Sequence, residues 1–324
     1  QRAIKIIDLS IGEPRLSLFP KTILDDLHSV EKLHYYYSSM GDTQLQSIII
    51  NKYYKHGDDQ KIAITHGAIG AIDIIFRSSL EEGDEILLPD PGFPPYEKLA
   101  NFAKATVKKY DLNFLKSDLT INWNEIRSLI TGRTKLIMIN TPHNPTGRVF
   151  TAKDKVELKA LLEDFPTLMF IVDEVYRDLI FNNLLTQSFN ELLGRGYIVG
   201  SFSKMYPLQG ARVGWLVTDS EKMKAIIPYL NNAYGAISSF GQELAKSFLM
   251  RKLSYQEVYA HAKNYTQKIL NELRIPYIEP EGAIYFFIYV GDNEAKKVQV
   301  LKDKGVLVID GGQFGKKGQG YVRI

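Results

Sequence analysis

The stretch Ile198-Val-Gly-Ser-Phe-Ser-Lys204 carries the pattern on which the prediction of the fold depends. A short apolar run leads directly into small hydroxyl residues and a lysine, as at the carboxyl end of a buried strand. Comparable apolar runs recur at residues 62–65, 85–88, 135–140, 168–172 and 214–217. Because helical patterns alternate with these runs, we predict an α/β domain with a mostly parallel central sheet flanked by helices.

The last third of the chain has a different pattern. Residues 220–273 are mainly helical in pattern, and strand-like runs follow at residues 283–290 and 306–309 with a helix between them. This arrangement predicts a smaller α+β domain.

The division between the two predicted domains follows from these patterns. The segment at residues 8–20 is too irregular to fold alone, so we expect it to pack against one of the domains. We expect the large domain to span residues 30–220, and the small domain to combine residues 1–29 with residues 221–324.

The composition argues against several classes of protein. The 324 residues include 40 Lys and Arg against 37 Asp and Glu, and no basic block of the kind that nucleic-acid binding requires is present. Cysteine is absent, so disulfides and thiolate metal sites are excluded, and we expect no metal. Since no apolar run has the length of a membrane span and residues 1–10 lack the apolar core of a signal peptide, we expect a cytoplasmic protein with no membrane or nucleic-acid partner.

Lys204 is the first candidate for chemistry. A lone lysine in a loop is more often a solvated surface residue. Here it follows a buried strand and precedes Arg212 by eight residues, and burial near another cation lowers the pKa of an amine toward neutrality. Such an amine can form an imine with an aldehyde. Ser201 and Arg212 are both residue types that bind phosphate.

A second candidate is the junction of strand and helix at residues 65–71, with the sequence Thr-His-Gly-Ala-Ile-Gly-Ala. Small residues there expose backbone N–H groups at a helix N-terminus, which attract anions. Gly67, Ala68 and Ile69 are therefore candidates for a phosphate site, although an ordinary tight connection has the same composition.

Other candidate side chains follow strands or lie in rigid turns. Asn144 lies in a dense turn and Asp173 ends a buried strand, positions that also suit ordinary turn and capping residues. Asp173 could pair with a cationic ring nitrogen, and Tyr176 could reach the same ligand. Phe93 could stack on a flat ring or simply pack in the core. Arg323 could be a surface charge or a bidentate clamp for a carboxylate.

Taken in order, these segments resemble the motifs of the class I/II aminotransferases, which are fold-type I enzymes that depend on pyridoxal 5′-phosphate (PLP). The resemblance extends from Gly12-Glu13-Pro14 to Arg323 and covers nearly the whole chain. It implies an aspartate-aminotransferase-like large domain with a smaller second domain. Residues 173–176 and 280–285 are most similar to the aspartate, alanine, aromatic and kynurenine branch of the family.

The resemblance implies a role for each candidate. Lys204 resembles the lysine that binds the cofactor as a Schiff base and moves the substrate proton, and Asp173 resembles the partner of the pyridinium nitrogen. Asn144 and Tyr176 resemble the partners of the ring's phenolic oxygen, and Phe93 resembles the aromatic residue that stacks on the ring. The catalytic residues would be Lys204 and Tyr176. The phosphate would be bound by Gly67, Ala68, Ile69, Ser201 and Arg212. The substrate carboxylate would be bound by Arg323, with Gly12 and Asn144 beside it.

The same resemblance implies a homodimer with shared active sites. Tyr36, five residues before Gly41, occupies the place of a tyrosine that reaches the phosphate site of the neighbouring subunit. Tyr35 and Tyr37 flank it, so the assignment is open by one position.

The activity implied is the transfer of an amino group from an L-amino acid to a 2-oxo acid, with 2-oxoglutarate expected as the acceptor, in a ping-pong sequence. The same residues also serve C–S lyases, cyclopropane-carboxylate synthases and phosphothreonine-type decarboxylases, which are alternatives. A more distant alternative is a non-catalytic PLP-binding regulator. Such regulators carry a DNA-binding winged helix ahead of this part, and the Gly12 motif here begins almost at the first residue.

Overall fold

The computed structural model describes residues 6–13, 36–54, 59–115, 118–181, 184, 189–251 and 254–324 of the chain. Within these ranges the chain forms a large central sheet covered by helices, together with a small antiparallel sheet. No helix in the described ranges is both long enough and apolar enough to cross a bilayer.

The central sheet has eight strands, which follow a short N-terminal strand, β1 (Ile7–Asp8). They are β2 (Gln60–His66), β3 (Glu85–Asp90), β4 (Thr106–Leu115), β5 (Asp118–Ile121), β6 (Thr134–Asn140), β7 (Met169–Asp173), β8 (Gly196–Ser201) and β9 (Val213–Asp219). Their spatial order is β2-β9-β8-β7-β6-β3-β4-β5. The strands from β8 to β4 in that order run parallel, whereas β9 is antiparallel to both its neighbours and β5 is antiparallel to β4. This topology confirms the predicted fold class.

Both faces of the central sheet are covered, which explains why an inner strand such as β6 is apolar on both of its faces. In β6, Leu136 and Met138 pack in one hydrophobic cluster, while Ile137 and Ile139 pack in the cluster on the other face. Successive side chains of a strand point to opposite faces, so a parallel strand between two helical layers needs apolar residues at every position.

The carboxyl ends of β6, β7 and β8 meet at one edge of the sheet. Asn140 lies opposite Asp173 in the parallel ladder, and Asp173 lies opposite Val199. Ser201 ends β8 two residues later. Three polar side chains are thus adjacent at the edge where open α/β sheets bind their ligands.

Helices connect and cover the strands. They are α1 (Thr43–Tyr53), α2 (Gly67–Ser79), α3 (Pro95–Phe102), α4 (Trp123–Leu129), α5 (Ala152–Asp164), α6 (Phe202–Met205), α7 (Ser220–Tyr229), α8 (Ser239–Met250), α9 (Gln256–Glu272) and α10 (Glu294–Asp303). Three of them begin immediately after a strand of the central sheet: α2 follows β2, α6 follows β8, and α7 follows β9. Ser201 caps α6 by accepting a hydrogen bond from the backbone N–H of Ser203 at 3.1 Å. This cap fixes the start of the helix that carries Lys204.

The remaining strands belong to the C-terminal part of the chain. They are β10 (Tyr277–Ile278), β11 (Phe287–Tyr289), β12 (Val306–Leu307), β13 (Ile309–Asp310) and β14 (Tyr321–Arg323). Four of them form an antiparallel sheet in the order β10-β11-β14-β13. The fifth, β12, pairs in parallel with β1, so that Ile7 lies opposite Val306. This pairing favours a small domain that includes the N-terminal segment, and the boundaries given above stay a prediction.

The third strand of the central sheet differs from its predicted form. The apolar run at residues 85–88 predicts a strand that ends before Pro89, but β3 continues through Pro89, which lies opposite Tyr110 of β4. The ladder between β3 and β6 ends at Leu87. Beyond that residue β3 has a single partner strand, so the missing N–H of a proline interrupts no ladder on the β6 side.

The hairpin of β4 and β5 was not predicted. The sequence Thr-Val-Lys-Lys-Tyr-Asp at residues 106–111 mixes charged and apolar residues, because this strand lies near the edge of the sheet. The predicted strands at 283–290 and 306–309 are also shorter than expected, since only β11 forms in the first and the second is divided between β12 and β13.

Candidate active site

A cleft of about 180 Å³ lies at the carboxyl edge of the central sheet. Most of the residues predicted to bind a cofactor line it. They are Ala68, Ile69, Phe93, Asn144, Asp173, Tyr176, Ser201, Lys204 and Arg212.

Lys204 reaches the cleft from the short helix α6. Its Nζ atom donates a hydrogen bond to the backbone carbonyl of Gly12. Burial is the largest cause of a decrease in the pKa of Lys204 to about 8, and the cationic Arg323 and Arg212 contribute to it, while Glu13 opposes it. A fraction of the amine is therefore unprotonated near neutral pH, as a nucleophile requires.

Asp173 ends β7 and is buried against the cleft. The hydroxyl of Tyr96 donates to its Oδ2 at 2.6 Å, and the backbone N–H of Val175 donates to its Oδ1 at 3.1 Å. Burial raises the pKa of the Asp173 carboxyl to about 6, although these hydrogen bonds and the charge of Lys204 act in the opposite direction. A cationic donor in the cleft, such as a protonated ring nitrogen, would stabilise the charged form of this carboxyl.

The start of α2 and the side chain of Arg212 form an anion site. Gly67 has a φ of 69°, and a Cβ there would lie 2.8 Å from Nη2 of Arg212, so glycine allows the guanidinium to approach the helix N-terminus. Arg212 is held by hydrogen bonds from Nη1 to the Gln209 carbonyl at 3.0 Å and to Ser203 Oγ at 3.4 Å. The hydroxyl of Ser201 lies 3.0 Å from that of Ser203. Backbone N–H groups, a guanidinium and hydroxyls are together the groups that bind a phosphate.

Arg323 is a buried cation on β14. Its Nη1 donates to Oδ1 of Asn144 at 2.9 Å, and its Nη2 donates to the backbone carbonyl of Ser10 at 2.8 Å. The guanidinium carbon lies 4.2 Å from the ring centroid of Tyr285 and 5.0 Å from that of Phe314. The buried Nε atom has no hydrogen-bond partner among the described residues. A fixed guanidinium with an unused donor suits a carboxylate ligand.

Tyr176 lies deeper in the cleft and is paired with a second tyrosine. Its hydroxyl is 2.7 Å from that of Tyr285, and the two rings meet edge to face with centroids 5.6 Å apart. Burial raises the pKa of both phenols, so both carry their proton at neutral pH.

Several residues of the cleft were not predicted from the sequence, among them Tyr96, Asn140 and Tyr285. Tyr96 follows Phe93 by three residues, a spacing that brings both to one side of a helix start, and this was a usable signal. Asn140 accepts a hydrogen bond from the backbone N–H of Asn144 at 2.8 Å and therefore shapes the turn. Tyr285 had no comparable signal, because its contacts are distant in sequence.

Two further predicted residues, Gly12 and Tyr36, do not line the cleft. Gly12 contributes its carbonyl, which accepts the hydrogen bond from Lys204. Tyr36 is 94% exposed on the surface of this chain, whereas the hydroxyl of Tyr37 donates to Glu243. Tyr35 lies outside the described residues. The assignment of Tyr36 to a neighbouring subunit stays a prediction, as do the roles of the other site residues.

The chain matches the family model "Aminotransferase class I and II" over residues 4–324. The chain belongs to this family. The aminotransferase is 30% identical to aromatic-amino-acid aminotransferase 2 of Thermococcus litoralis, over 98% of this chain and 86% of the relative. It is also 30% identical to the aspartate aminotransferase of Pyrococcus abyssi, with the same coverage of both chains.

Solved structures give the same result for the fold. The aminotransferase superimposes on the aspartate aminotransferase of Thermotoga maritima with a TM-score of 0.90 at 25% identity, over 99% of this chain and 87% of the other. It superimposes on an aromatic aminotransferase from Pyrococcus horikoshii with a TM-score of 0.88 at 27% identity, over 98% and 90%. The predicted family, fold and enzyme class are confirmed: this protein is an aminotransferase of a PLP-dependent family.

Proposed function

We propose that this aminotransferase holds PLP through Lys204 and transfers the amino group of an L-amino acid to a 2-oxo acid, with 2-oxoglutarate as the acceptor. The proposal depends on one observation. A single cleft contains a half-buried lysine with a pKa of about 8, a buried carboxyl with a pKa of about 6, and an anion site at a helix N-terminus.

The residues present fit the cofactor at each of its functional groups. Gly67 leaves open a place that a Cβ would fill, beside the guanidinium of Arg212, and this place suits a phosphate. Asp173 suits a protonated ring nitrogen, because burial without a cationic partner makes its charged form costly. Phe93 lines the cleft and suits the face of a flat ring. Bound PLP supplies a ring that stores the electron pair released at the substrate's α-carbon.

The chain's own groups account for substrate binding and proton transfer. Arg323 binds the substrate carboxylate, since its fork is fixed by Asn144 and Ser10 before any ligand arrives. The Nζ atom of Lys204 would accept the proton of the substrate's α-carbon and would deliver it to the cofactor carbon that takes up the amino group, because its lowered pKa leaves the amine partly unprotonated at neutral pH. The carbonyl of Gly12 orients that nitrogen. Burial of the side chains around Lys204 limits the access of water to the proton.

We also propose a cytoplasmic homodimer in which Tyr36 completes the phosphate site of the neighbouring subunit. The exposure of Tyr36 supports this, because its ring packs little on its own chain. The names of the relatives make aspartate and the aromatic amino acids the first donors to test.

The experiment that tests the function measures products. Purified protein is loaded with PLP and mixed with 2-oxoglutarate and either aspartate or an aromatic amino acid. We expect glutamate and the 2-oxo acid of the donor in equal amounts. Ammonia or carbon dioxide in place of glutamate would contradict transamination and favour a lyase or a decarboxylase.

The lysine is tested by Lys204→Ala. We expect loss of the visible absorbance of the bound cofactor and a decrease in turnover of roughly 10³-fold or more. Lys98→Ala, which changes an exposed lysine on α3, is the control and should behave as the wild type. Retained transamination in the Lys204 variant would contradict the assignment.

A further inference from the structure

Tyr285 is a buried residue of the loop between β10 and β11, and it contacts three different parts of the candidate site. Its hydroxyl is hydrogen-bonded to that of Tyr176, 109 positions earlier in the chain. Its ring lies under the guanidinium of Arg323 at 4.2 Å. The backbone of Gly12 packs against its hydroxyl so closely that a Cβ at Gly12 would overlap it.

Either hydroxyl can donate the hydrogen bond between Tyr285 and Tyr176, and its direction sets where the proton of Tyr176 points. A hydroxyl that accepts one hydrogen bond keeps its own O–H available for another partner. If Tyr285 donates to the oxygen of Tyr176, the O–H of Tyr176 is directed into the cleft, where a ligand can accept it. The pair is buried, and burial raises the pKa of both phenols, so both retain a proton to donate.

The contact with Arg323 fixes the substrate clamp. A guanidinium over the face of an aromatic ring is attracted to the ring and loses side-chain freedom. The guanidinium of Arg323 lies over the ring of Tyr285, and Asn144 and Ser10 accept hydrogen bonds from its Nη atoms. The guanidinium therefore has one orientation before substrate binds. The contact of Tyr285 with Gly12 links it to the lysine as well, because the carbonyl of Gly12 accepts the hydrogen bond from Lys204.

The charged and titratable groups around Tyr285 are few. Burial raises the pKa of its phenol, Arg323 lowers it and Asp173 raises it, while Tyr176 is its hydrogen-bond partner and Tyr259 is near enough to interact with it. Of these groups, Tyr176 and Asp173 line the same cleft.

We propose that Tyr285 is a positioning residue for the reaction: its hydroxyl orients the phenol of Tyr176 as a donor into the cleft, and its ring holds the guanidinium of Arg323 for the substrate carboxylate. The inference rests on the proposed function, because it assigns a purpose to two residues of that site. The hydroxyl and the ring have separate effects, so two variants distinguish them.

Tyr285→Phe removes the hydroxyl and keeps the ring. The pH midpoint of the visible absorbance of the PLP-loaded enzyme reports how well negative charge on the cofactor's ring oxygen is stabilised. Since Tyr176 becomes a weaker and less oriented donor, we expect this midpoint to rise by about half a pH unit to one unit. The affinity for propionate, a carboxylate without amino or oxo groups, should stay within about twofold of wild type, because the ring still supports Arg323.

Tyr285→Leu removes both groups. We expect the same rise in the midpoint and, in addition, a decrease of roughly fivefold in propionate affinity. Tyr277→Phe is the matched control, because it removes a tyrosine hydroxyl from the same small sheet, where it bonds to Asn271 at 3.1 Å outside the cleft. It should change neither measurement.

A double-mutant cycle separates positioning from a general loss of structure. In a Tyr176→Phe background, Tyr285→Phe should cause no further rise in the midpoint, because its effect passes through Tyr176. This cycle does not depend on whether the leucine variant folds.

Several outcomes would overturn the inference. They are an unchanged midpoint in Tyr285→Phe, an additive shift in the Tyr176→Phe background, and wild-type propionate affinity in a folded Tyr285→Leu. A wild-type enzyme that shows no cofactor absorbance would overturn the proposed function itself and this inference with it. That result differs from the others because it appears before any variant is made.

Discussion

At the scale of single residues, the candidate site depends on groups that are costly to bury alone. Asp173 has two hydrogen-bond donors, Tyr96 and the backbone of Val175, and yet burial keeps the pKa of its carboxyl near 6. Lys204 shows the opposite shift for the same reason, since burial favours the neutral form of an amine. In both groups burial disfavours the charged form that predominates in water. A ligand with complementary charges would offset this desolvation cost.

The pH dependence of stability tests this for Asp173. In the cofactor-free protein its pKa is raised from 3.8 to about 6, so the contribution of this group to stability is fully present below about pH 4 and is lost as the pH rises through about 6. Asp173→Asn has no such loss. Between pH 4 and pH 7 we therefore expect the variant to gain up to about 3 kcal/mol relative to wild type in urea unfolding.

The same substitution should have the opposite effect on the cofactor. Asp173→Asn should bind PLP more weakly than wild type, because an amide does not stabilise a protonated ring nitrogen as a carboxylate does. Asp292→Asn, which changes an exposed acid, is the control for both measurements. A stability difference that is the same at pH 4 and pH 7 would contradict the account of Asp173.

The residues that sequence alone could propose are those that directly follow a strand or a glycine-rich turn. Asp173, Lys204 and Gly67 are of this kind, because the position of a strand end fixes the position of the residue after it. Tyr285 could not be proposed in this way. Its partners Tyr176 and Arg323 come from other elements, and only tertiary packing brings them to it.

At the scale of elements, the site is built from strand-to-helix junctions. The start of α2 supplies N–H groups because Gly67 takes a positive φ and leaves room for Arg212. The start of α6 is capped by Ser201, and this cap fixes the position of the helix that carries Lys204. These junctions were predictable from small residues after apolar runs. The β4 and β5 hairpin was not, because a strand near a sheet edge tolerates charged residues that hide its pattern.

The junction before α2 is tested by Gly67→Ala. We expect a loss of about 1–2 kcal/mol in the free energy of unfolding from the positive φ. We also expect PLP to bind roughly tenfold more weakly, because the new Cβ displaces Arg212 from the phosphate site. Cofactor dissociation and urea unfolding measure the two effects.

Gly83→Ala is the matched control for this test. Gly83 also has a positive φ, of 92°, but a Cβ there would meet nothing within 4 Å. It should lose a similar amount of stability and keep the wild-type affinity for PLP. Equal cofactor affinities in the two variants would show that Gly67 matters for the backbone conformation and not for the phosphate site.

At the scale of the whole molecule, the order of the strands determines where the cleft lies. The parallel strands β6, β7 and β8 place their carboxyl ends side by side, and β14 brings Arg323 to the same region from the small sheet. The alternation of strand and helix made this architecture predictable. The relative position of the two sheets was not predictable, because it depends on contacts such as that between Arg323 and Asn144, which join distant parts of the chain.

The proposed dimer is tested by mixing two inactive or weakened variants. If Tyr36 acts in the neighbouring subunit, Tyr36→Ala and Lys204→Ala each damage every site of their own homodimer. A hybrid dimer has one site that lacks both residues and one that is intact. After dissociation and random reassociation, we expect roughly a quarter of the wild-type activity. No recovery above the sum of the separate variants would contradict a shared site.

The parallel pairing of β1 with β12 has a consequence for how the protein is made. Ile7 leaves the ribosome about 300 residues before its partner Val306. Until then the segment that carries Gly12 has no strand to join, and Lys204 has no carbonyl to orient it. Since contacts so distant in sequence form slowly, the large sheet can assemble on the nascent chain before β12 is available to order the segment that carries Gly12. The enzyme is therefore expected to become active only after β12 has been synthesised.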